Sequence, residues 1–205
     1  MPEIENAPLC VSISGGIAVG KTTLARHLSS TLPNCQVFIE HPGRNPYLAD
    51  FYQDMARWAF QSRIAMLAMF ASHYCEFEPK KEIILLDRCF YELIAFANLH
   101  VDLGNMSARD FGVYKMLYDA LVALAPPVDL ILYLSCSSNV ALERAKHRQR
   151  AFERELTIDY VEAIEEYYEQ WLATLPKTTS IRRINTDAGV DPVAATDEIV
   201  KHLRR

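Results

Sequence analysis

The chain has 205 residues, 50 % of them hydrophobic, and a formal net charge of −5 at pH 7. This length suits one domain with a sizeable core, so we expect residues 1–205 to form a single domain. The acidic balance excludes a basic footprint for nucleic acid, and no apolar run is long enough to cross a membrane. The start, MPEIENAP, is unlike a signal peptide, and the five cysteines lack metal-ligand spacing. We therefore expect a cytoplasmic protein with reduced thiols that binds neither nucleic acid nor membrane.

The first predicted element is a strand at 9–13 that leads into a glycine-rich loop. Gly15, four residues and then Gly20-Lys21-Thr22 form the phosphate-binding-loop pattern. Glycines let successive N–H groups point into one concavity at a helix N-terminus, where anions bind. Lys21 is expected to bridge the outer phosphates and the Thr22 hydroxyl to ligate Mg²⁺. We predict that ATP or another nucleoside triphosphate binds at Gly15, Gly16, Ile17, Ala18, Val19, Gly20, Lys21, Thr22 and Thr23.

A second strand is predicted at 36–39, with Glu40 directly after it. In an open α/β sheet, ligands bind beyond the carboxyl ends of the strands, so Glu40 is expected to face the phosphates. A carboxylate there can take a proton from an attacking hydroxyl. A solvated loop acid is an equally good interpretation of this residue by itself.

Two helices are predicted next. Asn45 as cap and Pro46 at the first helical position indicate one start, and residues 56–74 indicate a long apolar helix. One face of the long helix carries an amide among apolar residues, namely Trp58, Gln61, Ile64, Ala65 and Ala68. The amide of Gln61 can read the edge of a nucleobase. A core glutamine bonded to backbone is at least as good an interpretation.

The strand predicted at 82–86 ends at Asp87-Arg88. An acid directly after an apolar strand is typical of the metal-facing acidic position in P-loop enzymes. Arg88 has the geometry to clamp a phosphate with two hydrogen bonds. An ordinary surface ion pair is the weaker interpretation, because the protein already carries a phosphate-binding loop.

The rest of the chain continues the alternation of helices and strands. Helices are predicted at 91–100, 107–124, 159–172 and 193–203, and strands at 130–134 and 181–185. A further helix, capped by Ser137 or Ser138, follows the strand at 130–134. It ends in basic residues, including Arg144 and Arg148 on one face, and leads into a polar loop. That arrangement predicts a lid that closes over phosphates, with a solvated basic face as the alternative. We predict an α/β fold: a five-stranded parallel sheet with helices on both faces.

In this order and spacing, the motifs resemble the deoxynucleoside kinase family over nearly the whole chain. The resemblance rests on GGIAVGKTT, Glu40-His41-Pro42, NPYLADFY, WAFQ, Asp87-Arg88, PPVDLILYL and RAKHRQRAFE. NPYLADFYQDM followed by AFQ is most similar to the bacterial deoxyadenosine/deoxyguanosine kinase branch. The resemblance implies a P-loop kinase fold with an arginine-rich lid at about 145–156. It also implies a homodimer that transfers the γ-phosphate of ATP, with Mg²⁺, to the 5′-hydroxyl of a nucleoside.

The resemblance implies a role for each matching position. Glu40 matches the general base, Arg88 the arginine that holds the hydroxyl and phosphates, and Asp87 an acid that organises Mg²⁺ beside Thr22. Tyr52 and Glu153 match the pair that contacts the sugar 3′-hydroxyl. The other matches are the base pocket at Trp58, Gln61, Ile64, Ala68 and Leu93, and the lid arginines Arg144, Arg148 and Arg150.

Some positions depart from the family pattern. Cys89 replaces the serine after the motif arginine, and His41 separates Glu40 from proline. Purine- and cytosine-accepting members carry an Arg seven residues after the glutamine and an Asp five residues after the motif arginine. Those positions are Ala68 and Leu93 here, uncharged as in thymidine-accepting members. We therefore predict that the purine preference of the most similar branch is weakened or lost.

Two other functions fit part of the sequence. A nucleoside monophosphate kinase, such as a thymidylate kinase, shares the phosphate-binding loop and the lid, but needs further cations at its acceptor site. A nucleotide-binding switch would share the loop and show no acceptor-dependent turnover. Glu40 and Glu153 favour a nucleoside acceptor over a phosphate.

Overall fold

The computed structural model describes residues 8–76 and 81–203. The acidic start, on which the signal-peptide interpretation depended, lies outside them except for Pro8. Five parallel strands form one sheet in the order β2-β3-β1-β4-β5. They are β1 (Leu9–Gly15), β2 (Cys35–Phe38), β3 (Ile83–Asp87), β4 (Leu130–Ser135) and β5 (Ser180–Asn185). The predicted five-stranded parallel sheet is confirmed.

Helices connect the strands. They are α1 (Lys21–Thr31), α2 (Leu48–Gln53), α3 (Met55–Cys75), α4 (Leu93–Asp102), α5 (Ala108–Val122), α6 (Ser138–His147), α7 (Ile158–Thr174) and α8 (Pro192–Leu203). Short 3-10 turns lie at Pro42–Arg44, Phe90–Glu92 and Ala151–Glu153. Among the described residues, no helix combines the length and apolarity needed to cross a membrane.

The central strands β3, β1 and β4 are buried on both faces of the sheet, which explains why they read as continuous apolar runs. Side chains such as Val11 and Leu85 pack on one face with residues of α1 and α8. The alternate side chains, such as Ile84 and Ile131, pack on the other face with residues of α2, α3, α4, α6 and α7. The two layers hold the sheet rigid, so its carboxyl edge is a fixed platform for a site.

The predicted helix start at Asn45 and Pro46 is wrong, because α2 begins only at Leu48. The buried side chain of Asn45 accepts a hydrogen bond from the Tyr47 N–H over 3.0 Å. Its amide donates to the carbonyl oxygen of Ser62 over 3.1 Å. Asn45 therefore fixes a turn against α3 instead of capping a helix.

Candidate active site

The glycine-rich loop follows β1, the central strand, and takes a shape that only glycine allows. Gly15 has φ +138°, and a Cβ there would lie 2.2 Å from the carbonyl oxygen of Leu134 on β4. Gly20 has φ +104° directly before α1. The buried ammonium of Lys21 donates to the carbonyl oxygen of Gly16, and burial, with Arg88 nearby, lowers the pKa of Lys21 to about 7. Bound phosphate charge would favour the protonated form.

The oxygen atoms beside the loop fit a magnesium ion. The Thr22 hydroxyl donates to Oδ2 of Asp87 over 2.6 Å, and Asp87 is 1 % exposed. Its Oδ1 is buried without a hydrogen-bond partner among the described residues. The described part of the chain holds no group of three or more His, Cys, Asp or Glu side chains that suits a metal. The single carboxylate of Asp87 beside the Thr22 hydroxyl fits Mg²⁺, which takes one or two carboxylates together with substrate phosphates.

Arg88 ties the phosphate-binding loop to Glu40. The register of β1 and β3 sets Ile13 opposite Asp87, so the two strand ends meet. Arg88 has φ +75°, a backbone conformation that is strained for an arginine. Its Nε donates to Oε2 of Glu40 over 2.9 Å, and its Nη1 donates to the Gly15 carbonyl oxygen over 3.0 Å.

The ionisation of Glu40 follows from these neighbours. Burial opposes ionisation of the Glu40 carboxyl, but Arg88 and Lys21 hold its pKa below the usual glutamate value. Glu40 is thus a carboxylate at neutral pH, and one of its oxygens accepts a hydrogen bond from Arg88. Glu40 also lines the cleft. This is the state that a general base requires.

Glu92 is a partner of Arg88 that the sequence analysis missed. Its fully buried carboxylate accepts from Nη1 of Arg88 over 2.8 Å and from the Tyr168 hydroxyl over 2.6 Å. The hydroxyl of Tyr168 also lies against Nη1 of Arg88. The available signal was the spacing of four residues between Arg88 and Glu92, within an otherwise apolar segment.

The lid packs against α2 on the opposite side of the cleft. The Phe152 ring lies over the Tyr52 ring with centroids 5.8 Å apart. Glu153 is buried and accepts from Nε of Arg148 over 2.7 Å. Burial and then the Glu153 charge raise the pKa of Tyr52 to about 12, so its hydroxyl remains a donor. Tyr52 and Glu153 thus face one space, as predicted for residues that contact a sugar.

The other lid arginines also border the cleft. Arg144 donates from Nη2 to the carbonyl oxygen of Thr186 over 2.6 Å, and Arg150 forms an ion pair with Glu153 at 3.5 Å. Both line the same cleft as Lys21 and Thr22. Positive charge therefore surrounds the mouth of the phosphate-binding loop on two sides.

The face of α3 that meets the cleft differs from the predicted one. The cleft, of about 620 Å³, is lined on α3 by Arg63 and Met66, while Gln61 is absent from the lining. Successive helical residues are rotated by about 100°, so Gln61 and Arg63 point in nearly opposite directions. The carbonyl oxygen of the Gln61 side chain is buried and has no partner among the described residues. The expected contact of Gln61 with the base is therefore not supported by the geometry.

The neighbours of Gln61 on the predicted stripe lie outside the cleft as well. Trp58 stacks on Tyr47 with centroids 5.6 Å apart, Ile64 packs on the apolar cluster around Phe70, and Ala68 is exposed. Of the two uncharged positions used to predict a lost purine preference, only Leu93 lines the cleft. That prediction therefore loses half of its basis.

Most other predicted site residues meet in this cleft. Its lining contains Ile17, Ala18, Gly20, Lys21, Thr22, Thr23, Glu40, Tyr52, Arg88, Leu93, Arg144, Arg148, Arg150 and Glu153. Gly15, Gly16 and Val19 complete the loop, and Asp87 bonds to it through Thr22. The lining residues that sequence reasoning missed include Arg63, Met66 and Phe96. The catalytic and binding roles of the predicted site residues stay predictions.

Comparison with known proteins finds similarity over nearly the whole chain. A family model described as deoxynucleoside kinase matches residues 11–205. The deoxyadenosine kinase of Dictyostelium discoideum is 32 % identical over 188 residues, which cover 89 % of this chain and 74 % of that protein. The deoxyadenosine/deoxycytidine kinase of Bacillus subtilis is 33 % identical over 167 residues, covering 80 % and 76 %. The structure of deoxyadenosine kinase from M. mycoides with bound dATP superposes with a TM-score of 0.79 at 26 % identity, covering 96 % of this chain and 100 % of that one.

Proposed function

The chain belongs to the deoxynucleoside kinase family, and we propose that its cleft transfers the γ-phosphoryl group of ATP or another nucleoside triphosphate to a nucleoside 5′-hydroxyl. The chain is an ATP-dependent phosphotransferase with deoxynucleosides as its substrate class. The observation that carries the proposed site is the pairing of Glu40 with Arg88 beside the phosphate-binding loop. It sets a charged base and a fixed cation on the acceptor side of a triphosphate site.

On the acceptor side, Glu40 accepts the proton of the 5′-hydroxyl as that oxygen bonds to phosphorus. Arg88 holds the carboxylate through Nε, and its guanidinium faces the transferring group. Because Glu92 and Tyr168 fix the other edge of Arg88, the guanidinium does not reorient during transfer. A base so held adds about a hundredfold or more to the rate.

On the donor side, the loop N–H groups and Lys21 bind the outer phosphates, and Arg144, Arg148 and Arg150 approach from the lid. Thr22 and Asp87 would hold Mg²⁺, which supplies positive charge to the triphosphate when bound. Fixed positive groups around the transferred phosphoryl stabilise the charge spread over its oxygens. The lid also excludes water, so transfer to the nucleoside is favoured over hydrolysis.

The experiment that tests this function compares acceptors. Release of ADP from ATP is measured with Mg²⁺ alone, with deoxynucleosides, and with deoxynucleoside 5′-monophosphates. We expect release to depend on a nucleoside and to give its 5′-monophosphate. Turnover only with monophosphates would instead support the monophosphate kinase alternative, and acceptor-independent slow hydrolysis would support a nucleotide-binding switch.

We further propose that the protein acts as a homodimer in the cytoplasm. Exposed apolar residues lie along α5, where Val113 is 52 % and Met116 is 74 % exposed, with Leu117 beside them. Such a patch is typical of an interface. The free thiols, of which Cys10 and Cys89 are buried, support a reducing compartment. Light scattering should give twice the chain mass, and Met116→Glu should give the mass of one chain.

A further inference from the structure

Arg63 is a buried cation on the wall of the cleft that the proposed reaction does not use. Its side chain is 7 % exposed and lines the cleft beside Met66. Nη2 donates to the Ser62 hydroxyl at a long 3.3 Å, and Nε is buried without a partner among the described residues. No carboxylate in the described part of the chain forms an ion pair with it. A buried donor without an acceptor costs free energy unless a ligand supplies one.

Aromatic rings hold the Arg63 guanidinium in place. Its central carbon lies 5.1 Å from the ring centroid of Phe51 and 5.2 Å from that of Phe96. Both distances are within the range of a cation–π contact, which stabilises the charge without occupying a hydrogen-bond donor. The planar fork is therefore fixed in direction while donors remain free for a ligand.

The Phe96 ring also contacts Arg88, so it connects Arg63 with the reaction centre. Phe96 also lies 5.2 Å from the central carbon of Arg88, whose Nε contacts Glu40. A nucleoside with its 5′-hydroxyl at Glu40 and its sugar between Tyr52 and Glu153 extends its base toward the part of the cleft that Leu93, Phe96, Met66 and Arg63 line. Of these four side chains, Arg63 alone can hydrogen-bond.

Arginine carries donors only, in a rigid fork that matches two neighbouring acceptors. Guanine presents such a pair at O6 and N7. Adenine offers a donor next to each acceptor on the edge away from the sugar, and thymine separates its two carbonyl oxygens by an N–H. Resting on the proposed nucleoside kinase function, we propose that Arg63 is the base-reading residue and selects bases with two adjacent acceptors, guanine foremost.

Cytosine is the other common base with adjacent acceptors, at O2 and N3. Its O2 lies next to the sugar-bearing nitrogen, whereas the O6–N7 edge of guanine points away from the sugar. A base that extends from the sugar site to Arg63 therefore brings the guanine edge to the fork more directly. This selection differs from the expectation based on Ala68 and Leu93, because Ala68 does not line the cleft.

The first test measures kcat/KM on the wild-type protein. The acceptors are deoxyguanosine, deoxyinosine, 7-deaza-deoxyguanosine, deoxycytidine, deoxyadenosine and thymidine. A bidentate contact predicts that deoxyguanosine and deoxyinosine exceed deoxyadenosine and thymidine by about tenfold or more. Removing N7 should cost about tenfold relative to deoxyguanosine. Equal use of deoxyadenosine, or of the 7-deaza analogue, would overturn the proposal, and a preference for deoxycytidine would overturn the choice of guanine.

The second test changes the fork. Arg63→Gln provides a donor and an acceptor, the pattern that reads adenine, so the preference should move toward deoxyadenosine by about tenfold to a hundredfold, mainly through KM. Arg63→Met keeps the length and should lower kcat/KM for deoxyguanosine while leaving that for thymidine within about twofold. The control is Arg57→Gln, an exposed arginine on the same helix, which should keep the wild-type pattern. A uniform loss for all bases in folded Arg63 variants would show a structural role and overturn the proposal.

Calorimetric titration of each nucleoside without a phosphate donor separates this proposal from the proposed function. Tighter binding of deoxyguanosine than of deoxyadenosine to the wild type, and its loss in Arg63→Gln, would support base reading even if no phosphoryl transfer occurred. Binding without any dependence on residue 63 would refute base reading while leaving the kinase function intact.

Discussion

Oε2 of Glu40 accepts a hydrogen bond from Nε of Arg88 over 2.9 Å, although the two residues are 48 positions apart in the sequence. They follow the neighbouring strands β2 and β3, so the parallel pairing of these strands brings their ends together. The pair keeps the carboxylate charged and orients it at the edge of the phosphate-binding loop. Substitutions at this pair and at neighbouring residues separate the effects on proton transfer, metal binding and stability.

Glu40→Gln should remove the base while keeping a side chain of the same size beside Arg88. We expect kcat to fall by about a hundredfold or more, because an amide does not accept the hydroxyl proton. Binding of a non-hydrolysable ATP analogue, measured by calorimetry, should stay within about twofold of the wild type, since the loop is unchanged. Wild-type kcat in this variant would show that Glu40 is not the base.

Asp87→Asn should weaken magnesium binding. The free, buried Oδ1 of Asp87 loses its negative charge in this variant, while Thr22 keeps an oxygen or nitrogen neighbour. We expect the Mg²⁺ concentration for half-maximal activity to rise about tenfold or more. Asp197→Asn, at an exposed position on α8, is the matched control and should not change the Mg²⁺ titration. An unchanged titration in Asp87→Asn would remove Asp87 from the metal site.

Glu92→Gln should destabilise the protein far more than a similar change at the surface. Glu92 and Arg88 form a buried ion pair, and losing the carboxylate charge leaves a buried cation with one charged partner fewer. We expect the free energy of unfolding in urea to drop by about 3 kcal/mol. Asp119→Asn breaks an exposed pair of the same spacing with Lys115 and should cost less than about 1 kcal/mol. Equal costs in the two variants would contradict the importance of the buried pair.

His100 should make stability depend on pH. It is fully buried, its Nε2 lies 3.1 Å from the Tyr160 hydroxyl, and burial, with the charge of Arg63, lowers the pKa of His100 to about 3. The unfolded chain binds a proton below about pH 6.5 and the folded chain does not, so stability falls as pH decreases. Between pH 6.5 and 5 this group should cost the wild type about 2 kcal/mol of unfolding free energy.

His100→Gln keeps a hydrogen-bond acceptor and cannot titrate. We expect it to be less stable at neutral pH, because its packing against Phe51 is altered, but to lose less stability on acidification than the wild type. Urea unfolding of both proteins at the two pH values gives the comparison. Parallel losses in the two proteins would show that His100 does not contribute to the pH dependence.

Local sequence determined the conformation of the glycine-rich loop and the positions of the strands. The loop from Gly15 to Thr22 is one contiguous segment whose glycines dictate its backbone, and each buried strand is a short apolar run. Asp87 and Arg88 follow such a run directly, and Glu40 follows another closely. Because parallel strands end at one edge of a sheet, identifying the strands was enough to predict that these residues meet.

Only the tertiary structure decided which face of α3 lines the cleft. The helix α3 is apolar around most of its circumference, so periodicity did not distinguish the face with Gln61 from the face with Arg63. Its rotation is set by packing against α2, by the bond from Asn45 to Ser62, and by packing against α4 and α5, which follow much later in the sequence. Likewise, the contact of Glu92 with Tyr168 depends on how α7 lies against α4. Helix rotation is decided by the sum of many side-chain contacts, and a single helix sequence does not contain them.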